Sequence, residues 1–223
     1  MAINNIKAVL FDLDGTLLDS TEIDKLTFEH LMWDYLKVKV PPDTLSHYRG
    51  TPVPKILGNF TSPEKVEELL GAWMVYKTRF QTKMALYSGI LPMLRELRKA
   101  GLKLAVVTSQ SNQECVLAQS YLGLDGLFEY WISADQVKAT KPDPAPVQLA
   151  LQCLEIEAHE AVMVGDTFND MESGKRAGVY IGAVLWGFGS PESLLSYQPD
   201  FVFREVQELC ALARLTETNN KFC

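Results

Sequence analysis

Apolar residues gather along the chain in five short runs rich in β-branched side chains: Ile6 to Phe11, Leu102 to Thr108, Tyr130 to Ser133, Ala161 to Val164 and Val179 to Leu185. Polar residues do not alternate within these runs. Each therefore suits a strand buried on both faces, the usual condition of a parallel sheet. Between the runs the apolar positions return every three or four residues. Ile90 to Ala100 carries Leu91, Leu94 and Leu97 ahead of Gly101, and Gln113 to Leu122, Ala145 to Leu154 and Asp170 to Ala177 follow the same helical period. Strand and helix alternate, which predicts an α/β protein built on a doubly wound, Rossmann-like parallel sheet.

One stretch breaks the alternation. From about Asp19 to Leu86 no strand-like run occurs, and Thr21 to Leu36, Thr51 to Asn59 and Pro63 to Thr82 follow one another as helical segments separated by Pro41-Pro42 and Ser62-Pro63. The expectation is an α-helical cap, residues 19–86, inserted between the first and second core strands. The core would then comprise residues 1–18 and 87–215, with 216–223 as a polar, frayed tail. Charge divides in the same way. The insert holds 9 basic and 9 acidic residues, leaving 12 basic against 19 acidic in the rest. An acidic core suits a bound cation, and a balanced lid can meet an anion.

Composition narrows the partners. The chain has 223 residues, 47% hydrophobic and 22% charged, enough for one large domain or a core with an inserted subdomain. A net charge of −7 has the wrong sign for following a nucleic-acid backbone or an anionic membrane, so small molecules are the expected partners, with a monomer or homodimer as the assembly. Cys115, Cys153, Cys210 and Cys223 form no CxxC pair, and neither a signal-like N-terminus nor an apolar run of about 20 residues occurs. A soluble cytoplasmic protein is expected, which makes the Asn59-Phe60-Thr61 sequon incidental.

In an open α/β sheet, functional side chains collect at the carboxyl ends of strands. Four such places stand out. Asp12-Leu13-Asp14-Gly15-Thr16 follows the first run with two acids at i and i+2 before a glycine turn; crowded this way, they demand a cation or shifted pKa values. Thr108-Ser109 offers hydroxyls and backbone amides to an anion. Lys141 precedes a rigid Pro142-Asp143-Pro144 helix entry, and Gly165-Asp166-Thr167-Phe168-Asn169-Asp170 brings two more acids. Each alone has an ordinary explanation: a turn, a solvated lysine, or an N-cap at Asp166 or Thr167. Together they form a site for a divalent cation and a phosphoryl group.

In order and in spacing, these motifs resemble those of the haloacid dehalogenase superfamily of phosphohydrolases, over nearly the whole chain. The helical insert is similar to that family's small α-helical cap. Tyr87-Ser88-Gly89-Ile90-Leu91-Pro92 and Lys141-Pro142-Asp143-Pro144 resemble its phosphoglycolate-phosphatase-like branch. The resemblance implies roles for the matching residues. Asp12 would be the nucleophile that takes up the phosphoryl group, and Asp14 the general acid and then base. Thr108, Ser109 and Lys141 would bind phosphoryl oxygens. Asp12, Asp166 and Asp170, with the Asp14 carbonyl, would ligate Mg²⁺. A Mg²⁺-dependent phosphatase of a small phosphorylated metabolite, phosphoglycolate-like, follows; an inorganic pyrophosphatase or a β-phosphoglucomutase-like phosphotransferase is the alternative.

Departures refine the expectation. The superfamily's dehalogenases lack an acid at the position of Asp14, and Thr16 resembles the phosphatases where the mutases commonly have valine. Gln110 stands where many phosphoglycolate phosphatases have lysine, which leaves the substrate open. A receiver-like phosphorylated switch shares the residue types but is about half as long and carries its phosphoacceptor elsewhere. No P-loop, dinucleotide fingerprint or GxSxG is present, Gly187-Phe188-Gly189 reads as a plain loop, and His30, His47 and His159 lie far from the motifs. In the cap, Arg49 and Gly50 are the candidate substrate contacts. Lys55 and Arg79 read as solvated charges, and Trp33, Trp73 and Tyr76 as cap core. Hinges are expected near Asp19 and Tyr87.

Overall fold

The computed structural model describes residues 3, 5–41 and 44–216; most of the tail expected to fray, residues 217–223, lies outside the described residues. In chain order the strands are β1 (Ala8–Phe11), β2 (Leu18–Asp19), β3 (Ala85–Leu86), β4 (Lys103–Val107), β5 (Tyr130–Ile132), β6 (Ala161–Gly165), β7 (Tyr180–Val184) and β8 (Phe201–Phe203). The helices are α1 (Thr21–Leu36), α2 (Val53–Leu57), α3 (Pro63–Arg79), α4 (Ile90–Lys99), α5 (Asn112–Leu122), α6 (Ala145–Leu154), α7 (Phe168–Ala177) and α8 (Pro191–Ser196). Six strands pair in parallel in the order β5-β4-β1-β6-β7-β8. The chain moves outward from β1 through β4 to β5, then crosses back to build β6, β7 and β8 on the other side. The switch point therefore lies at β1, between β4 and β6.

Alternate residues of the strands serve two cores. Val9, Phe11, Leu104, Val106, Val162 and Val164 face one way and pack with Leu94, Leu97 and Leu209. Ala8, Leu10, Ala105, Val107, Ala161 and Met163 face the other way and meet Val147, Ala150 and Leu154 of α6. Burial of both faces accounts for the absence of polar alternation in the sequence. The smaller residues on the α6 side let that helix lie close to the sheet.

The helices between β2 and β3 have their own core, made by Phe28, Leu31, Met32, Ile56, Leu57, Leu69 and Trp73. Three details of this region depart from expectation. A two-residue antiparallel pair, Leu18 with Leu86 and Asp19 with Ala85, closes the base of the insert where no strand was anticipated. Trp33, expected in the insert's core, is 55% exposed, because its position on α1 faces away from α3. The second helix is shorter than expected, Val53–Leu57, since Pro52 sits at its start and Gly58 ends it. A 3₁₀ stretch, Val206–Leu215, follows β8. No helix among the described residues is long and apolar enough to cross a membrane.

Candidate functional site

The carboxyl ends of β1, β4 and β6 deliver Asp12, Thr108 and Asp166 to the switch point, and Lys141 and Asp170 arrive from the segments before α6 and in α7. The first motif is a tight turn. Leu17 and Leu18 donate their N–H groups to the Leu13 carbonyl, and Gly15 donates to Leu18. Gly15 has φ +83°, and a Cβ there would lie 2.2 Å from Asp166 Oδ2, so only glycine fits.

Asp12, Asp166 and Asp170 are all buried, and their carboxylate oxygens lie within 4.8 Å of one another. The ammonium group of Lys141 donates to Asp12 Oδ1 and Asp170 Oδ1, both at 2.6 Å, and to the Val107 carbonyl at 2.8 Å. All three of its protons are thereby engaged. Burial alone would lower the Lys141 pKa, but the two carboxylates hold it above the ordinary lysine value. The lysine cannot balance three acids. Burial and then Asp170 push the Asp12 carboxyl well above its usual range, against the pull of Lys141. The same two causes push Asp166 up to about 7. An oxygen-only, buried and over-acidic donor set fits a hard divalent cation such as Mg²⁺.

Supporting contacts hold this cluster in place. Thr16 Oγ1 donates to Asp166 Oδ1 at 3.0 Å and the Phe188 N–H to Oδ2 at 2.6 Å. Thr167 caps α7 and donates from its N–H to Asp170 Oδ2 at 2.9 Å, so the capping and the cluster use one carboxylate. The Gly187-Phe188-Gly189 loop, read from sequence as featureless, is thus a wall of the site. A Cβ on Gly187 would lie 2.4 Å from Asp166 and from the Gly15 carbonyl. Its contribution comes from a backbone amide and missing side chains, which motif reading does not detect.

Asp14 lies apart from the three acids. Its Oδ1 accepts from Gln110 Nε2 at 2.9 Å, and burial followed by Asp24 pushes its carboxyl up to about 6. Asp14 and Asp12 open on a cavity of about 70 Å³ between the sheet and the helical insert. Arg49 lines this cavity, with its guanidinium 3.9 Å from the centre of the Phe188 ring and 3.7 Å from Asp24. The carbonyl of Gly50 accepts from Ser109 Oγ at 3.1 Å and from Asn169 Nδ2 at 3.3 Å. In this conformation, Gly50 and Ser109, both expected at a ligand, dock the insert onto the core. Thr108 Oγ1 accepts the Gln110 N–H at 3.1 Å, which leaves its own proton for another acceptor.

Sequence reading missed a second charged group in the cavity. Lys77 of α3 is buried, with Nζ 2.5 Å from Asp24 Oδ1 and 3.8 Å from Glu114 Oε1, and Trp73 Nε1 donates to Glu114 at 2.9 Å. Asp24 and Glu114 hold the Lys77 pKa above its ordinary value in spite of burial. Lys55 and Arg79 stay outside: Lys55 reaches Thr140 at 3.5 Å, and Arg79 lies over Phe80.

Fold and site together define a doubly wound α/β protein with buried carboxylates and a lysine at its switch point, covered by an inserted helical unit. The model of the haloacid dehalogenase-like hydrolases matches residues 9–184, and the chain belongs to that family. It is 31% identical over 212 residues to pyrophosphatase PpaX of Bacillus pumilus, covering 94% of this chain and 97% of the relative. PpaX of Listeria innocua is 31% identical over 213 residues with the same coverage. A crystal structure of CbbY from Rhodobacter sphaeroides in complex with xylulose-(1,5)-bisphosphate superposes with a TM-score of 0.84 at 22% identity, covering 95% of this chain and 99% of that one. A predicted phosphoglycolate phosphatase from Haemophilus somnus gives 0.82 at 20% identity with the same coverage. These two likenesses are likenesses of fold.

Proposed function

We propose that the protein is a Mg²⁺-dependent phosphatase, acting in the cytoplasm, that releases inorganic phosphate from a small phosphorylated metabolite through an aspartyl-phosphate on Asp12. The carrying observation is the pairing of Asp12 with Lys141 inside the carboxylate cluster, while Asp14 stands beside it on a small cavity. Lys141 fixes Asp12 and offsets part of its charge. In the first step an Asp12 oxygen attacks phosphorus, the bond to the leaving oxygen breaks with its electron pair, and that oxygen takes a proton from Asp14. Water then attacks the aspartyl-phosphate, giving its proton to Asp14, and free phosphate and Asp12 are restored. Thr108, Ser109 and Lys141 would hold the phosphoryl oxygens, Ser109 exchanging its contact with Gly50 when the insert opens and Lys141 exchanging its contact with the Val107 carbonyl. Asp12, Asp166, Asp170 and the Asp14 carbonyl would hold Mg²⁺, which supplies charge neutralisation and Lewis-acid polarisation of the phosphoryl group. Free Cys115, Cys153 and Cys210 support the reducing compartment.

The cavity supports a short organic leaving group. Leu45, Tyr48, Val53, Ile56 and Trp73 line its far wall, and the two cations there, Arg49 and Lys77, face the two acids Asp24 and Glu114. A phosphoglycolate-like monoester fits that balance better than a leaving phosphate. Pyrophosphate is the second reading, favoured by the full-length likeness to pyrophosphatases. The test is phosphate release by purified protein with Mg²⁺ from pyrophosphate and from a panel of small monoesters. Higher kcat/KM on a monoester supports the first reading and higher kcat/KM on pyrophosphate the second. No release from any of them refutes both.

A further inference from the structure

Gln110 is held more firmly than a loop residue requires. It follows β4 by three residues; its N–H donates to Thr108 Oγ1 at 3.1 Å, and its carbonyl accepts from the Ala134 N–H at 2.8 Å. The backbone is thus fixed from both sides, and the side chain projects to the cavity with only 8% of the residue exposed. Its Nε2 donates to Asp14 Oδ1 at 2.9 Å, while its Oε1 is buried without a hydrogen-bond partner among the described residues.

The two ends of this amide are used unequally, which is informative. An ionised carboxylate only accepts hydrogen bonds, so the amide must turn its NH₂ toward Asp14 and its carbonyl away. With its backbone fixed at both the N–H and the carbonyl, the Gln110 side chain presents a buried donor to the Asp14 carboxyl from a rigid support.

We propose that Gln110 is a positioning residue for Asp14, fixing the orientation of its carboxyl at the cavity. Asp14 sits on a turn, and besides Gln110 the Ser20 side chain approaches its carboxyl. The inference rests on the phosphatase reading, in which Asp14 protonates the leaving oxygen. It adds a residue outside the carboxylate–lysine cluster to the proton-transfer step.

Dependence on the leaving group tests this. An aryl ester such as p-nitrophenyl phosphate expels a stable phenolate and needs no proton donor, whereas an alkyl phosphate expels a strongly basic alkoxide and does. The parameter is kcat/KM, because it reports only the steps up to departure of the leaving group. In Gln110→Met, which keeps the volume and removes the hydrogen bond, kcat/KM for the alkyl ester should fall about 10- to 100-fold, within the range of general acid catalysis, and for the aryl ester less than about 3-fold. Equal falls on both esters would show that Gln110 only supports the fold, and no fall on either would show that Asp14 is positioned by other contacts; both outcomes overturn the proposal. If Gln110→Met does not fold, as judged by circular dichroism, Gln110→Ala is subjected to the same comparison. A wild-type protein inactive on both esters would remove the phosphatase reading and this proposal together, whereas an active wild type with a variant insensitive to the leaving group removes the proposal alone.

Discussion

Lys141 donates to Asp12 at 2.6 Å across the switch point of the sheet, and both side chains are buried. The same ammonium donates to Asp170, so one cation is shared by two of the three clustered acids. Lys141→Met should therefore leave uncompensated buried carboxylates and destabilise the metal-free protein by about 3–5 kcal/mol. Denaturant unfolding with and without Mg²⁺ checks this. Mg²⁺ should recover much of the lost stability, and a variant as stable as wild type in chelator would show that the acids are neutral without the lysine.

Asp12→Asn removes the nucleophile and one buried charge together. Turnover should fall by about three orders of magnitude or more, because an amide does not attack phosphorus. Stability in chelator near pH 8 should rise, since the group removed is one whose ionised form burial and Asp170 oppose. Steady-state kinetics and a thermal melt on the same preparation give both numbers. Substantial residual turnover would exclude the aspartyl-phosphate.

Stability should depend on pH with an unusual sign. The Asp12 carboxyl is held well above its unfolded value, Asp166 is raised to about 7 and Asp14 to about 6. Between roughly pH 4 and 7 the folded protein therefore binds more protons than the unfolded chain, and the free energy of unfolding falls as pH rises through that window. In chelator the melting temperature should be higher at pH 5 than at pH 8. Mg²⁺ binds the deprotonated carboxylates, so its stabilisation should grow over the same interval. A metal-free melting temperature that rises from pH 5 to pH 8 would mean that the cluster is not the dominant titrating element.

The parts of this molecule legible in the sequence are those carried by repeated local signals. Ala8–Phe11 and Lys103–Val107 sit inside apolar runs bounded by turn chemistry, and Asp12, Asp166 and Lys141 follow from strand ends. Phe201–Phe203 is a three-residue edge strand, too short for a period, and Leu18–Asp19 with Ala85–Leu86 is shorter still. Lys77 looks like any helical lysine; its burial arises because Asp24 and Glu114 approach from two other elements, a long-range fact with no local trace. Trp33 shows the converse: a large aromatic at helical spacing that packs against nothing in the core. The Phe188 amide acts through the backbone, where residue type carries little information.

Arg49 separates an anionic from an uncharged leaving group. Its guanidinium stacks on Phe188 at 3.9 Å, and Asp24, at 3.7 Å, satisfies it incompletely, so a charge-assisted contact remains available at the cavity. Arg49→Ala should weaken transition-state binding of a substrate with an anionic leaving group, pyrophosphate or phosphoglycolate, by about 1.5–3 kcal/mol, a loss of roughly 10- to 150-fold in kcat/KM. An ester of similar size with an uncharged leaving group should lose no more than a few-fold. Loss of the Phe188 contact provides the internal control. If stacking on Phe188 mainly holds the loop that binds Asp166, both substrates decline together and Mg²⁺ affinity falls with them. Kinetics on the charged and uncharged pair, with a Mg²⁺ titration of each protein, distinguish the cases: selective loss at unchanged Mg²⁺ dependence assigns Arg49 to the leaving group, and parallel loss assigns it to the Asp166 loop.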